Sequence, residues 1–245
     1  MPRALDVLPP QVAGRDTGDS LARKVSTSTP TILFVRHGDT PLNSDAGGTA
    51  TPRIRGWQNV PLTDNGRSEA NLAASKLAKY NPSKIITSDL QPATETAGII
   101  ADKLGLSVTK DKNLRTWDVG SLTGKPVNEA RKIQADYQNK TPDKKLPAGG
   151  GFSGESFNDY FSRFANKGLP RLQKEAENSD GPIVAVTHGH PIRSLKRALA
   201  GGNLNVHIPM EGVAGHGDIV KVEKQGAGWK MTDVDKVDFD TQGGR

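Results

Sequence analysis

At 245 residues the chain suits one large α/β domain or two small ones, and 34% hydrophobic with 24% charged residues permits a folded core. No apolar run nears the roughly 20 residues of a membrane span and the first residues, MPRALDVLPPQV, lack a signal-peptide core, so a cytoplasmic protein without membrane contact is expected. The absence of cysteine excludes disulfides and a thiol nucleophile, and five histidines argue against a structural zinc site.

Residues 1–28 read as a tail, with Pro9-Pro10 and a Ser/Thr run ending at Pro30. A histidine-bearing domain is expected over 29–233, and a polar tail over 234–245. Ile32-Leu33-Phe34-Val35 suits a buried parallel strand. A helix follows over 65–80 with Asp64 as its cap, then a strand at 84–87 and a helix over 93–104 that tolerates Pro92 in its first turn. A third strand is expected at 107–109, and a helix over 127–137. A longer amphipathic helix over 156–177 carries Gly168 and Pro170 as a kink or break. Ile183-Val184-Ala185-Val186 is a fourth buried strand, followed by a helix over 192–200 and two antiparallel edge strands at 218–222 and 229–231. Alternating strands and helices predict an α/β three-layer sandwich, with a mostly parallel central sheet and helices on both faces.

The formal charge is +6, and residues 103–145 hold ten Lys/Arg against five Asp/Glu. Aromatics are only 5%, too few to interleave a nucleic-acid surface, so no nucleic-acid partner is expected. The excess reads as a solvated face or as a field for small anions.

One local echo stands out. Val35-Arg36-His37-Gly38 ends the first strand and Val186-Thr187-His188-Gly189 ends the fourth. In a parallel sheet both histidines leave the carboxyl edge, where α/β folds bind ligands. Imidazole is a nucleophile or an acid–base group near neutral pH. Arg36 adds a fork of donors that fits phosphoryl oxygens, and phosphoryl transfer needs mainly positioning and charge.

The stretch Leu33-Phe34-Val35-Arg36-His37-Gly38-Asp39-Thr40, with Asn43 after it, resembles the signature of the histidine phosphatase (phosphoglycerate mutase-like) superfamily. Arg53-Ile54-Arg55-Gly56-Trp57 with Pro61-Leu62-Thr63, Thr87-Ser88-Asp89-Leu90 with Thr96-Ala97, Leu114-Arg115 with Gly120, Gly154-Glu155-Ser156 and the second His-Gly follow in the family's order. The likeness spans about 31–222 and implies a phosphoglycerate mutase-like fold. It implies a phosphomonoester hydrolase that needs neither cofactor nor metal and acts on a small phosphorylated substrate or a phosphoprotein. His37 would carry the phosphoryl group, Arg36 would hold it, and His188 would donate to one of its oxygens. Asn43, Arg53 and Gly189 would line the pocket. The family mutases' Glu-Arg-His-Tyr-Gly is missing after Leu114, which points to hydrolysis rather than mutation. Oligomeric state stays open, a homo-oligomer included.

Two positions depart from the pattern. Pro92 stands where the family has a second phosphate-binding arginine, which leaves Arg55, Arg115 or Arg193 to supply that charge. Thr116 stands where the family has its acid, and Asp118 is the nearest carboxyl to act as proton donor, or alternatively to cap loop amides. These departures keep a second reading open, a degenerate member that binds a phosphorylated ligand or a protein without turnover. His190 is expected at a helix start without a catalytic role. His207 and His216, in Gly-rich segments, show no partner spacing.

Overall fold

The computed structural model describes residues 28–43, 51–203, 208 and 214–235. The expected N-terminal tail apart from Ser28, the expected C-terminal tail beyond Asp235, and His207 lie outside the described residues.

Six strands form one sheet in the order β3-β2-β4-β1-β5-β6. The strands β1 (Thr31–Arg36), β2 (Lys84–Thr87), β3 (Val108–Lys110) and β4 (Ile183–Thr187) run parallel, and β5 (Ile219–Gln225) and β6 (Gly228–Asp235) are antiparallel. The expected sandwich is therefore present, with a mixed sheet whose four central and flanking strands are parallel. The unbroken apolar runs follow from burial on both faces. In β1, Ile32 and Phe34 join Trp117, Phe157 and Tyr160 on one face; Leu33 and Val35 join Ala73, Leu77 and Ala97 on the other. Each of the Ile, Leu, Val and Phe side chains contributes on the order of 1.5–3 kcal/mol on full burial.

Helices α1 (Asp64–Ala78) and α2 (Gln91–Leu104) cover the second face. Ala70, Ala73, Ala74 and Leu77 form the buried stripe of α1. Its cap is Thr63, whose hydroxyl accepts the Gly66 amide, rather than Asp64, which is already helical and acidic in the first turn. Pro92 sits in the first turn of α2, where its missing N–H costs nothing, and Gly105 closes that helix at φ +67.

The first face carries α4 (Phe157–Arg163), α5 (Leu169–Glu177) and α6 (Gly189–Leu199), with α3 (Val127–Asn139) packed on α4. No break occurs at Gly168 and Pro170. A π turn over Phe164–Gly168 joins α4 to α5 and takes up the misfit, and Pro170 falls in the first turn of α5. Helix α6 starts three residues before expectation, at Gly189, with His188 as its cap residue. No helix among the described residues is long and apolar enough to cross a membrane.

Candidate active site

Strands β1 and β4 are neighbours, with Val35 opposite Val186 and Arg36 opposite Thr187. The chain past each strand end therefore reaches the same sheet edge. The His37 amide donates to the Thr187 carbonyl at 2.9 Å, which fixes the two ends together. Behind the nucleophile loop, Gly38 meets the backbone of Gly66 in the first turn of α1, so closely that any side chain at either position would collide. The Gly38 amide donates to Thr96 Oγ1 of α2.

His37 is 2% exposed, and its Nδ1–H donates to its neighbour's carbonyl, Gly38 O, at 2.7 Å. That bond assigns the tautomer and leaves an Nε2 lone pair as the available nucleophile. Burial, then the charges of Arg55 and the other cleft groups, hold its imidazolium well below the usual 6.5. The ring is neutral at physiological pH, as a nucleophile must be.

Arg55 is 5% exposed and its Nη2 donates both to His37 Nε2 at 3.2 Å and to His188 Nδ1 at 2.8 Å. Because a guanidinium only donates, His188 carries its proton on Nε2 and gives it to Ser88 Oγ at 2.8 Å. The two imidazole centroids lie 5.1 Å apart. Burial and the nearby Arg36 push the Arg55 guanidinium down to about 9, which marks a cation without a counter-charge.

Arg36 is held by the turn before β5. Its Nη1 donates to Ala214 O at 2.8 Å and its Nη2 to His216 Nε2 at 2.9 Å. The His216 ring centroid is 5.6 Å from that of His37. His216, which no spacing in the sequence singled out, is thus part of the site; burial and two arginines push it down to about 2, so it accepts from Arg36 as a neutral ring. Behind it Asp39 and Glu69 are buried, and the Asp39 amide donates to Glu69 Oε2 at 2.6 Å. Burial raises Glu69 to about 7.

Arg36, His37, Arg55 and His188 line a cleft of about 650 Å³, its open mouth included, with His216, Asp39, Glu69 and Ser88 behind its wall. Asn43, Arg53 and Gly189 border it, as expected; Asn43 Oδ1 accepts from Thr40 and Arg53 donates to the Gly124 carbonyl. Arg193 borders it too, with its Nη1 3.1 Å from where a Gly189 side chain would start.

Two expected residues do not join them. Arg115 forms a two-pronged pair with Asp89, both contacts 2.6 Å, and lies over the Trp57 ring. The carboxylate next to Ser88 in the chain, just before α2, thus claims it before any phosphate could. Asp118 is 1% exposed, and its oxygens accept the amides of Gly120 and Gly154 and the Ser153 hydroxyl. It pins two loops together and does not border the cleft, so the alternative of a loop-capping carboxylate describes it. Among the described residues that border the cleft there is no carboxylate.

Ser88 and Arg131 were also missed. Ser88 belongs to the Ser-Asp-Leu block, but its role depends on a histidine 100 residues away; Arg131 looked like one charge in a basic stretch.

Comparison with known proteins gives a consistent result. The sequence model of the histidine phosphatase superfamily (branch 1) matches residues 32–236. Phosphoglycerate mutase-like protein 4 of Arabidopsis thaliana is 36% identical over 171 residues, 67% of this chain and 68% of that protein. Probable phosphoglycerate mutase GpmB of Yersinia pestis is 34% identical over 122 residues, 48% of this chain and 54% of that protein, so the match spans about half of that relative. A mycobacterial glucosyl-3-phosphoglycerate phosphatase solved with vanadate superposes at TM-score 0.63 and 27% identity, over 84% of this chain and 98% of that one.

Proposed function

The chain belongs to the histidine phosphatase superfamily, branch 1, and from that premise we propose that it is a metal-independent phosphatase that hydrolyses phosphomonoesters through a phosphohistidine on His37. The observation that carries this reading is the Nδ1 bond of His37 to Gly38 O, which turns Nε2 toward Arg55 and His188. A phosphoryl group entering there offers charged oxygens, better acceptors than imidazole nitrogen. They draw the Arg55 Nη2 off the His37 lone pair and uncover the nucleophile. Arg36 and Arg55 then surround the equatorial oxygens and stabilise the charge that develops during in-line transfer, while His188, its proton engaged by Ser88, holds Arg55 in place. Helix α6 begins at Gly189, so the positive end of its dipole adds to the field. Water then hydrolyses the phosphohistidine and releases inorganic phosphate. The named relatives, a mutase-like protein and a phosphatase, support phosphoryl transfer as the reaction class.

A binding protein without turnover is the second reading, favoured by the Arg55 contact that covers the His37 lone pair. One experiment separates the two. With 4-nitrophenyl phosphate and no added metal, the wild type releases phosphate and yields an acid-labile, base-stable phosphoenzyme, and His37→Ala does neither. Turnover that survives in His37→Ala overturns the mechanism, and phosphate binding without turnover in the wild type establishes the second reading.

A further inference from the structure

The turn before β5 grips Arg36 by its main chain as well as by its fork. The Arg36 amide donates to Asp218 O at 3.2 Å, the Gly217 amide donates to Arg36 O at 3.0 Å, and Nη1 donates to Ala214 O. Gly217 sits at φ +75, a conformation that favours glycine, where the turn closes. These three contacts run to backbone atoms of the turn and do not depend on which side chains it carries. A fourth, from Nη2 to His216 Nε2 at 2.9 Å, runs to a side chain.

The partners of that ring fix its state. A guanidinium only donates, so Nε2 offers its lone pair and the neutral imidazole carries its proton on Nδ1. Nδ1 faces Asp39 Oδ1 at 3.8 Å. Among the described residues that oxygen is buried without a hydrogen-bond partner, while Asp39 Oδ2 accepts the hydroxyl of Thr63 at the cap of α1. His216 therefore stands between a buried carboxylate and a largely buried guanidinium. Direct pairing with a carboxylate would spend both the donors and the charge of Arg36. A neutral acceptor aims the fork and leaves the charge in place. Burial outweighs the attraction of Glu69, Asp218 and Asp39 and pushes Arg36 down to about 10, as for a cation that its neighbours have not cancelled. Its Nε, also without a partner among the described residues, lies 3.5 Å from where a Gly189 side chain would begin, at the head of α6.

Resting on the phosphatase reading, we infer that His216 is a positioning residue for phosphoryl transfer: its neutral ring, set between Asp39 and Arg36, aims the Arg36 guanidinium at the phosphoryl group without cancelling its charge. It acts through Arg36 and not on the reacting atoms. Such aim counts most in the transition state, where misdirected donors are worth least.

The test compares His216→Leu, His216→Gln and His216→Glu in the full chain, by steady-state kinetics on 4-nitrophenyl phosphate and by calorimetric binding of orthovanadate. In His216→Leu the charge-assisted bond is lost, and kcat and kcat/KM fall together, roughly 10–100-fold. Vanadate, which resembles the transition state, binds more weakly by a similar factor. His216→Gln offers an amide oxygen near the place of Nε2 and recovers part of both losses. His216→Glu accepts from Arg36 too, but as an anion, and recovers neither. The contrast between these two polar variants decides the matter even where the leucine variant does not fold. Wild-type rates in His216→Leu, or equal rates in His216→Gln and His216→Glu, overturn the proposal. So does a loss that falls on KM alone, which would make His216 a ground-state binding group. No turnover by the wild type removes the phosphatase reading, and this inference with it. Wild-type turnover that none of the substitutions moves removes this inference alone.

Discussion

Arg55 is buried to 5% exposure, and its Nη2 meets two imidazole lone pairs while its Nε has no partner. A guanidinium so placed is costly unless an anion arrives, which fits a phosphate site better than a packing role. It also answers the question raised by Pro92. Thr96 Oγ1 accepts the Gly38 amide and donates to the Pro92 carbonyl, so Pro92 lies two hydrogen bonds behind the nucleophile loop. On this reading Arg55, which borders the cleft where Pro92 does not, supplies the charge that Pro92 lacks. A charge-assisted hydrogen bond contributes about 1.5–3 kcal/mol, so Arg55→Gln lowers kcat/KM for 4-nitrophenyl phosphate roughly 10–100-fold. Pro92→Arg alone brings a like charge beside Arg55 and lowers activity. In the Arg55→Gln background the same change restores part of the loss. Steady-state rates of the four variants test the exchange; a gain from Pro92→Arg in the wild type would show that Arg55 does not fill the vacated role.

At the level of elements, Asp118 governs how two loops meet. Its three donors come from Gly120, Ser153 and Gly154, and the Asp118 amide in turn donates to Glu155 Oε2. The backbone at Gly120 and Gly154 has φ of +51 and +73, a conformation other residues rarely adopt, so the loops depend on this carboxylate for cohesion. Asp118→Asn places an N–H against donors and leaves at least one buried amide unpaired, a cost of about 1–3 kcal/mol. Thermal denaturation registers that loss, while the ratio of rates on ethyl and 4-nitrophenyl phosphate stays as in the wild type. A selective loss on ethyl phosphate would return Asp118 to the role of proton donor. The same loop shows why legibility differed across the chain. Period and apolar runs located the sheet and most helices because burial on both faces writes itself into consecutive residues, as in β1 and β4. The two His-Gly strand ends and Arg36 were readable for the same reason. The function of the loop carboxylate is set largely by an amide 36 residues away, and that of His216 by Arg36, 180 residues away, and neither distance leaves a local pattern. Gly168 and Pro170 read as a kink or break because a π turn has no composition of its own.

Across the whole molecule, the formal charge of +6 is smaller in consequence than its placement. The basic stretch 103–145 supplies Arg131 to the cleft, and within the same stretch Arg115 pairs with Asp89. The field that matters is made by arginines drawn from four separated segments, at residues 36, 53–55, 131 and 193, onto one sheet edge. Burial pushes Arg36 and Arg193 down to about 10 each and Arg55 down to about 9, a desolvation of buried cations that a bound anion relieves. Folding and anion binding are therefore coupled. A ligand that binds only the folded state stabilises it by about 2.7 kcal/mol at one hundred times its Kd. For a chain of this size each kcal/mol moves Tm by about 2–4 °C. Inorganic phosphate at that concentration accordingly raises Tm by roughly 5–11 °C, and sodium chloride at matched ionic strength does not reproduce the rise. Arg55→Gln binds phosphate more weakly and shows a smaller shift at the same concentration. Calorimetric melting curves of both proteins, with and without phosphate, measure this directly. An equal rise with chloride would mean that the arginines respond to general screening rather than to a phosphate seated among them.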